Sequence, residues 1–544
     1  MKKGISVVLV LVLVCALFSG CGKSETPAAP VENNSPYPIA QLTVGTTMTI
    51  EKAIREEYNY DVLSSSTTEL PLVRQDVSGH YLPLLCDFST EDSISWTYTV
   101  HDGLKWDDGE PLTAEDILFT LEYDDAAGTA NFNDKTDSEG NVSAAKYSGY
   151  TLSEDKMSIT LTLAEPNVRD PGNMVYFRVM PKHVYEGKDS VTEAEARIGC
   201  GPYSFESFNK EAGTVSFAAN ENYPQQPHVG RIVFRIFGSE DTMYMALRSG
   251  DIDLVWNYST GVSTNYADVL GEDVSLMSVS AANVPAVLGF NNAKGFFADE
   301  NLRHAVSCAL DYQQFKTLFG SEHAATPTRS FAPATTLGYM DSSELTQDIP
   351  AAESYMKAAG YEKNADGFFE KDGAEASFKL SCNAEKETHA GCAELIKTQL
   401  EAFGIHVELD SLDKDSYNAK TSNKFSGNNV TMEAAIYGFT AAGMGMGSGL
   451  GTIYVDGSHN VQGGCQVFDE DFAAAKQALD EAYSIEEYYA AAAQVQTYYA
   501  EHCPLLALYW DNLLYAYNSR LDGLEADALF GLNNAENWLN VTKK

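Results

Sequence analysis

Positive charge is scarce in this chain: 36 Lys and Arg residues stand against 77 Asp and Glu, a formal charge of -41. Such a balance argues against nucleic-acid binding, because phosphates would be repelled over most of the surface. It attracts cationic solutes, and its plainest use is an acidic coat that keeps an extracellular chain soluble. Long apolar runs are missing beyond residue 18, so no later segment is a transmembrane helix. Ile5 to Phe18, behind Lys2 and Lys3, is too short for a stable span and has the shape of a signal peptide.

Cysteine is sparse, with nine residues. Cys15 would leave with the signal, and seven remain beyond Cys21. An odd number cannot all pair internally and no Cys-x-x-Cys occurs, so neither a disulfide framework nor a zinc or redox site is indicated. Buried thiols are expected, with one or two disulfides as the alternative. Catalytic signatures are missing too. There is no H-E-x-x-H, and Met446 stands where the G-x-S-x-G elbow before Ser448 needs glycine. Neither phosphate-binding glycine pattern is met. No enzyme activity, metal or cofactor is therefore expected. Carboxylate pairs are too abundant for any one of them to indicate a glycosidase.

What is present is best read from Trp96 to Tyr123. Trp96, Tyr98 and Val100 alternate with Ser95, Thr97 and Thr99, which is a half-buried strand. Asp102-Gly103 and Asp108-Gly109 are turn dipeptides. Pro111 keeps Glu110 out of the helical region, and Thr113 caps a helix whose Ile117, Leu118 and Leu121 share a face. This succession resembles the signature of the extracellular solute-binding proteins of the oligopeptide, dipeptide and nickel class (family 5), which serve ABC importers. Trp106, Asp108, Gly109, Pro111, Thr113, Ala114 and Asp116 carry the match.

Further blocks extend the resemblance. Gly199 to Phe205 is similar to the family's G-T-G-P-Y segment, with Cys200 in the threonine position. Strand Ile232 to Ile236, a helix stopped by Gly250 and a short strand at Ile252 to Val255 follow. Leu288 to Asn292 leads into a helix expected over Glu300 to Phe319, and Glu385 to Phe403 is an amphipathic helix before the strand of Ile405, Val407 and Leu409. Asn364, Asp366 and Glu370 lack the bidentate glutamate of a calcium loop, so a hairpin is expected around Gly367. Ser19 and Gly20 before Cys21 resemble a lipoprotein processing box, which implies lipid on Cys21 and anchoring to the outer face of a bacterial cell membrane. The Pro-rich polar residues that follow read as a flexible tether.

The resemblance implies a two-lobed α/β periplasmic-binding-protein-like fold with mixed β-sheets and an extra subdomain. Its parts are a signal peptide at 1–20, a lipidated N-terminus and tether at 21–39, lobe one from 40–66, 197–286 and 507–544, an inserted subdomain at 67–196 and lobe two at 287–506. It implies capture of a small solute, most often a peptide in this family, between closing lobes, and delivery to an ABC permease. The alternatives are a sensing receptor without transport and a secreted hydrolase.

Two stretches bear on the ligand. From Tyr437 onward, glycines at every second position between 443 and 451 let backbone approach a bound molecule. In peptide-binding relatives this loop carries an aromatic residue, matched by Phe439, and three residues later an aspartate for the peptide's α-ammonium, where this chain has Ala442. Pro504 to Asn512 resembles the segment that crosses back between the lobes and brings aromatic side chains to the cleft. Tyr437, Phe439, Thr440, Met444, Met446, Tyr509, Trp510 and Asn291 are thus the expected ligand contacts. Their aromatic and thioether surface suits a peptide, a neutral and partly apolar solute or a stacked sugar.

Overall fold

A ten-stranded mixed sheet runs through the whole of Tyr37–Lys544. Its strands, numbered along the chain, are β1 (Leu42–Thr46), β2 (Tyr203–Asn209), β3 (Thr214–Ala219), β4 (Arg231–Ile236) and β5 (Leu254–Val255), then β6 (Val274–Phe290), β7 (Ser377–Asn383), β8 (His406–Leu412), β9 (Ala434–Thr440) and β10 (Leu505–Asn518). The computed structural model describes residues 35–544 apart from 138–139, 141, 259–260, 263, 268, 321–322, 441–449, 451–463 and 528. Cys21, Ala442, Met444 and Met446 lie outside the described residues.

In space the order is β2-β3-β4-β1-β5-β10-β6-β9-β7-β8. On one flank β1 lies parallel to both β4 and β5; on the other, β7 lies parallel to β8 and β9. The long strands β6 and β10 join the two flanks as an antiparallel pair, with Val274 opposite Asn518 and Gly289 opposite Leu505. Each flank has its own core. Leu42, Val44, Phe217, Phe234 and Trp256 pack together with Tyr98, Trp106, Ile117 and Leu121 of the inserted subdomain. Lobe two buries Leu288, Phe290, Leu380, Ile396, Leu400 and Ile436 with Leu506 and Leu508. Side chains change from one core to the other between Val279 and Ala286 on β6, and between Trp510 and Leu513 on β10. On the return strand that changeover falls a few residues after the boundary at 506/507.

The subdomain follows its sequence pattern. Ser95–Val100 is a strand with strictly alternating burial, in a four-stranded sheet. Gly103 and Gly109 take φ of 79° and 97° at the two turns. In the helix Ala114–Ala127 the Asp116 carboxylate accepts the Thr113 amide at 2.9 Å and the Lys182 amide at 2.9 Å, tying the helix start to the next segment. Glu362–Lys363 and Phe369–Lys371 pair antiparallel around Gly367, the expected hairpin.

The helix expected over 300–319 is not continuous. Glu300–Ala309 ends at an extended Leu310, and Asp311 starts a new turn by accepting the Gln313 amide at 3.0 Å. The Asp311 side chain competes for backbone amides, which apolar periodicity alone does not register. All seven cysteines from Cys86 to Cys503 are free and buried. Burial raises the thiol pKa of Cys86, Cys200, Cys308, Cys392, Cys465 and Cys503, so they act as small apolar side chains. Among the described residues no helix is long and apolar enough to cross a membrane.

Gly199 and Gly201 have a steric cause. A Cβ on Gly201 would sit 2.1 Å from the Thr67 carbonyl oxygen, and one on Gly199 2.2 Å from that of Thr68. These contacts are with backbone and cannot be relieved by a rotamer change. Gly201→Ala is expected to destabilise the chain by about 2–3 kcal/mol, read as a lower urea midpoint at unchanged m-value.

Candidate ligand site at the crossing of the lobes

In open α/β sheets the loops that leave the carboxyl ends of neighbouring parallel strands form the crevice where ligands bind. Here β1 and β5 are such neighbours, and their exits are fastened together. Asn257, just past β5, accepts from the Thr46 hydroxyl at 3.0 Å and the Thr47 amide at 2.8 Å, just past β1. The Tyr258 amide then reaches the Met48 sulfur at 3.5 Å.

Around Tyr258 lies an aromatic group that periodicity does not reveal. Tyr58 and Phe530 approach its ring at 6.5 Å and 6.0 Å, and the Tyr176 hydroxyl lies near enough to that of Tyr258 for each to influence the other's pKa. Tyr58 is 65% and Tyr176 49% exposed, so the lobe-one face presents free aromatic surface. Phe530 is held by a buried turn. The Asp527 carboxylate accepts the amides of Leu529 at 2.9 Å and Gly531 at 3.1 Å, and the Trp256 indole donates to the Phe530 carbonyl at 2.6 Å. Burial pushes Asp527 up to about 7.

The crossing strands supply the second feature. Asn283 on β6 is opposite Asp511 on one side and opposite Thr440 on the other, while Val284 faces Phe439. Thr440, Asn283 and Asp511 thus form one row across three strands, at the point where β9 runs into the glycine-rich loop. The backbone of Phe439 and Thr440 is fixed in this row; their side chains lie outside the described residues. Asp511 is half-buried, and no hydrogen bond or ion pair reaches its carboxylate among the described residues. Desolvation alone raises its pKa to about 6. A desolvated carboxylate without a counter-ion is a ready partner for a cationic group. Sequence reasoning passed over it; the available signal was a charged residue inside an otherwise apolar crossing strand.

Other expected contacts are given to the fold. Asn291 is fully buried; its amide donates to the Met432 carbonyl at 3.0 Å and its oxygen accepts the Ala293 amide at 3.2 Å. Its polar atoms shape the exit of β6. Tyr437 donates to the Thr421 carbonyl at 2.9 Å, and its ring packs where Gly289 and Gly464 leave room. Tyr509 and Trp510 are each 2% exposed, Tyr509 beside Phe319 and Gly320 and Trp510 with Phe331 at 5.6 Å. Their rings enter two different cores, one on each face of the strand that carries Asp511. Among the described residues no group of three His, Cys, Asp or Glu is arranged to hold a metal ion.

Comparison with known proteins agrees with this geometry. The chain is 24% identical over 363 residues to the nickel-binding periplasmic protein of Escherichia coli (strain K12), covering 64% of this chain and 67% of that one. It is 22% identical over 434 residues to the oligopeptide-binding protein AppA of Bacillus subtilis (strain 168), covering 75% and 76%. The crystal structure of an ABC transporter substrate-binding protein from Sinorhizobium meliloti superimposes with a TM-score of 0.74 at 17% identity, over 93% of this chain and all of that one. The description of the bacterial extracellular solute-binding proteins, family 5 (middle), matches residues 83–460, and the chain belongs to that family.

Proposed function

We propose that this protein is the lipid-anchored capture component of an ABC importer, that its cargo is a peptide or similar organic solute bearing a cationic group, and that it delivers this cargo to a permease. The observation that carries the ligand class is Asp511. Its carboxylate has no partner among the described residues, it lies in the strand row that leads into the glycine-rich loop, and Ala442 leaves that loop without the acid found in peptide-binding relatives. The aromatic face of Tyr58, Tyr176 and Tyr258 supplies stacking surface for the rest of the solute. Family membership supports a peptide, as does the likeness to an oligopeptide-binding protein. A neutral, sugar-like solute stacked on the same rings is the second reading, favoured by the amount of exposed tyrosine.

Closure follows from the crossing. The register of β6 against β10 slips three times between Val279 and Val287, where Pro285 has no amide to give, so the two flanks turn about a short, weakly paired segment. Small-angle scattering is expected to show compaction at saturating solute, and unchanged dimensions would refute the hinge. The solute itself is obtained by denaturing purified protein and identifying what is released by mass spectrometry.

For that solute Asp511→Asn should weaken binding about tenfold or more at pH 7.5 by calorimetry, since a desolvated cation loses its partner. Wild-type affinity should fall as pH drops through about 6, where Asp511 protonates, and the variant should lack this dependence. The raised pKa means the folded carboxyl binds its proton more tightly than the unfolded one. The ligand-free protein should therefore gain stability from this group as pH falls through about 6. Unchanged affinity in the variant would favour the neutral solute. Separately, Cys21→Ser is expected to move the protein from the membrane fraction to the medium, and a variant that stays processed and membrane-bound would refute lipid anchoring.

A further inference from the structure

Away from the crossing, a cavity of about 410 Å³ lies between the inserted subdomain and lobe two. Its volume falls within the ordinary range for small-molecule sites, roughly 300–1,000 Å³. One wall is Phe88 and Trp96 from two adjacent strands of the subdomain, with ring centroids 6.3 Å apart. The other is Tyr483 and Tyr489, at the start of the helix Ile485–His502. Glu91 and Glu486 contribute the carboxylates, and neither has a hydrogen-bonding or ionic partner among the described residues. The one basic lining group, His80, is already engaged by Asp76 at 3.2 Å.

At the start of the helix beside the cavity Ser484 accepts the Glu487 amide at 3.2 Å, and Glu487 accepts the Tyr483 amide at 2.9 Å. Glu486, in the same first turn where the helix dipole favours a carboxylate, also lines the cavity. Aromatic faces with unpaired carboxylates at their margin are matched to a cation that carries an apolar body, because ring quadrupoles and carboxylates attract the charge while the walls desolvate the rest. The overall charge of -41 reinforces that selectivity at long range and repels anions.

We propose that this cavity is a second binding site, for a small organic cation with an aromatic or alkyl body, distinct from the crossing of the lobes. The walls are already joined at two points. The Ser93 hydroxyl donates to the Tyr483 carbonyl at 2.5 Å, and the Arg169 guanidinium lies 5.6 Å from the centre of the Tyr488 ring. A cation in the cavity touches both bodies and adds to these contacts.

Benzyltrimethylammonium is the probe, titrated into the mature protein by calorimetry, with benzyl alcohol as the neutral control. Saturable binding of the cation is expected, with the alcohol at least about fivefold weaker. Tyr483→Ala, Tyr489→Ala and Glu486→Gln should each weaken the cation about threefold to tenfold. The two tyrosines are 58% and 38% exposed, so these replacements leave the core filled, and unchanged melting temperatures verify it. Absence of saturable heat at millimolar probe would overturn the proposal. So would equal binding of the alcohol, or full affinity in all three variants, which would place the probe elsewhere.

Discussion

Backbone pairing between Val274–Phe290 and Leu505–Asn518 is the constraint on which the other features depend. These strands are central in the ten-stranded sheet and each contributes side chains to both lobes, so neither lobe has a complete core without them. Antiparallel pairing over such a length fixes which residues share a row, because a slip by one residue would turn every side chain to the opposite face. It thereby sets Asp511 opposite Asn283, and the pairing of β6 with β9 sets Thr440 on the other side of Asn283, so that three residues far apart in the chain share one row.

That pairing is weakest in its middle, and the weakness has a sequence cause. Pro285 offers no amide to a ladder, and the register shifts cluster around it. On either side the partners are apolar and well packed: Val279 with Leu513 toward lobe one, Leu288 with Leu506 toward lobe two. This interruption of a stiff, buried pairing is the feature on which the proposed closure rests. The polar residues of the interruption, Asn283 and Asp511, fall where the lobes part, which keeps the apolar rows free of unpaired charge.

Burial divides the aromatic residues into two populations with different work. Trp106, Trp256, Trp538, Tyr98 and Tyr203 are enclosed and serve the lobe-one core. Tyr58 and Tyr176 stand partly in water on the face beside Tyr258, and Tyr483 and Tyr489 at the edge of the cavity beside lobe two. Rings with an apolar face and a polar tip suit such places, since they bind organic solutes without requiring a dry pocket. The excess of carboxylates over the chain attracts positive charge to both groups of rings at long range.

Local chemistry was legible in the sequence wherever a residue answers only to its neighbours. The Ser95–Val100 alternation, the turns at Gly103 and Gly109, the Thr113–Asp116 cap, the stop at Gly250 and the crossing strand after Pro504 are each set by backbone geometry or by a hydrogen bond a few residues long. The glycines at 199 and 201 were visible as a motif, but their cause, the carbonyls of Thr67 and Thr68, lies more than a hundred residues away. Tertiary partners also bear on two of the expected contacts. Asn291 and Tyr437 have the chemistry of ligand residues, and only their tertiary partners at Met432 and Thr421 show that this chemistry is already spent. Conversely Asp511 reads as one acid among many until the sheet half-buries it with no partner among the described residues, and Tyr58, Tyr176 and Tyr258 share no segment. By itself the sequence determined the family and the order of its elements, because those rest on local pattern; which side chains are left free to meet a ligand was decided by the tertiary structure, because freedom depends on what every distant neighbour has already taken.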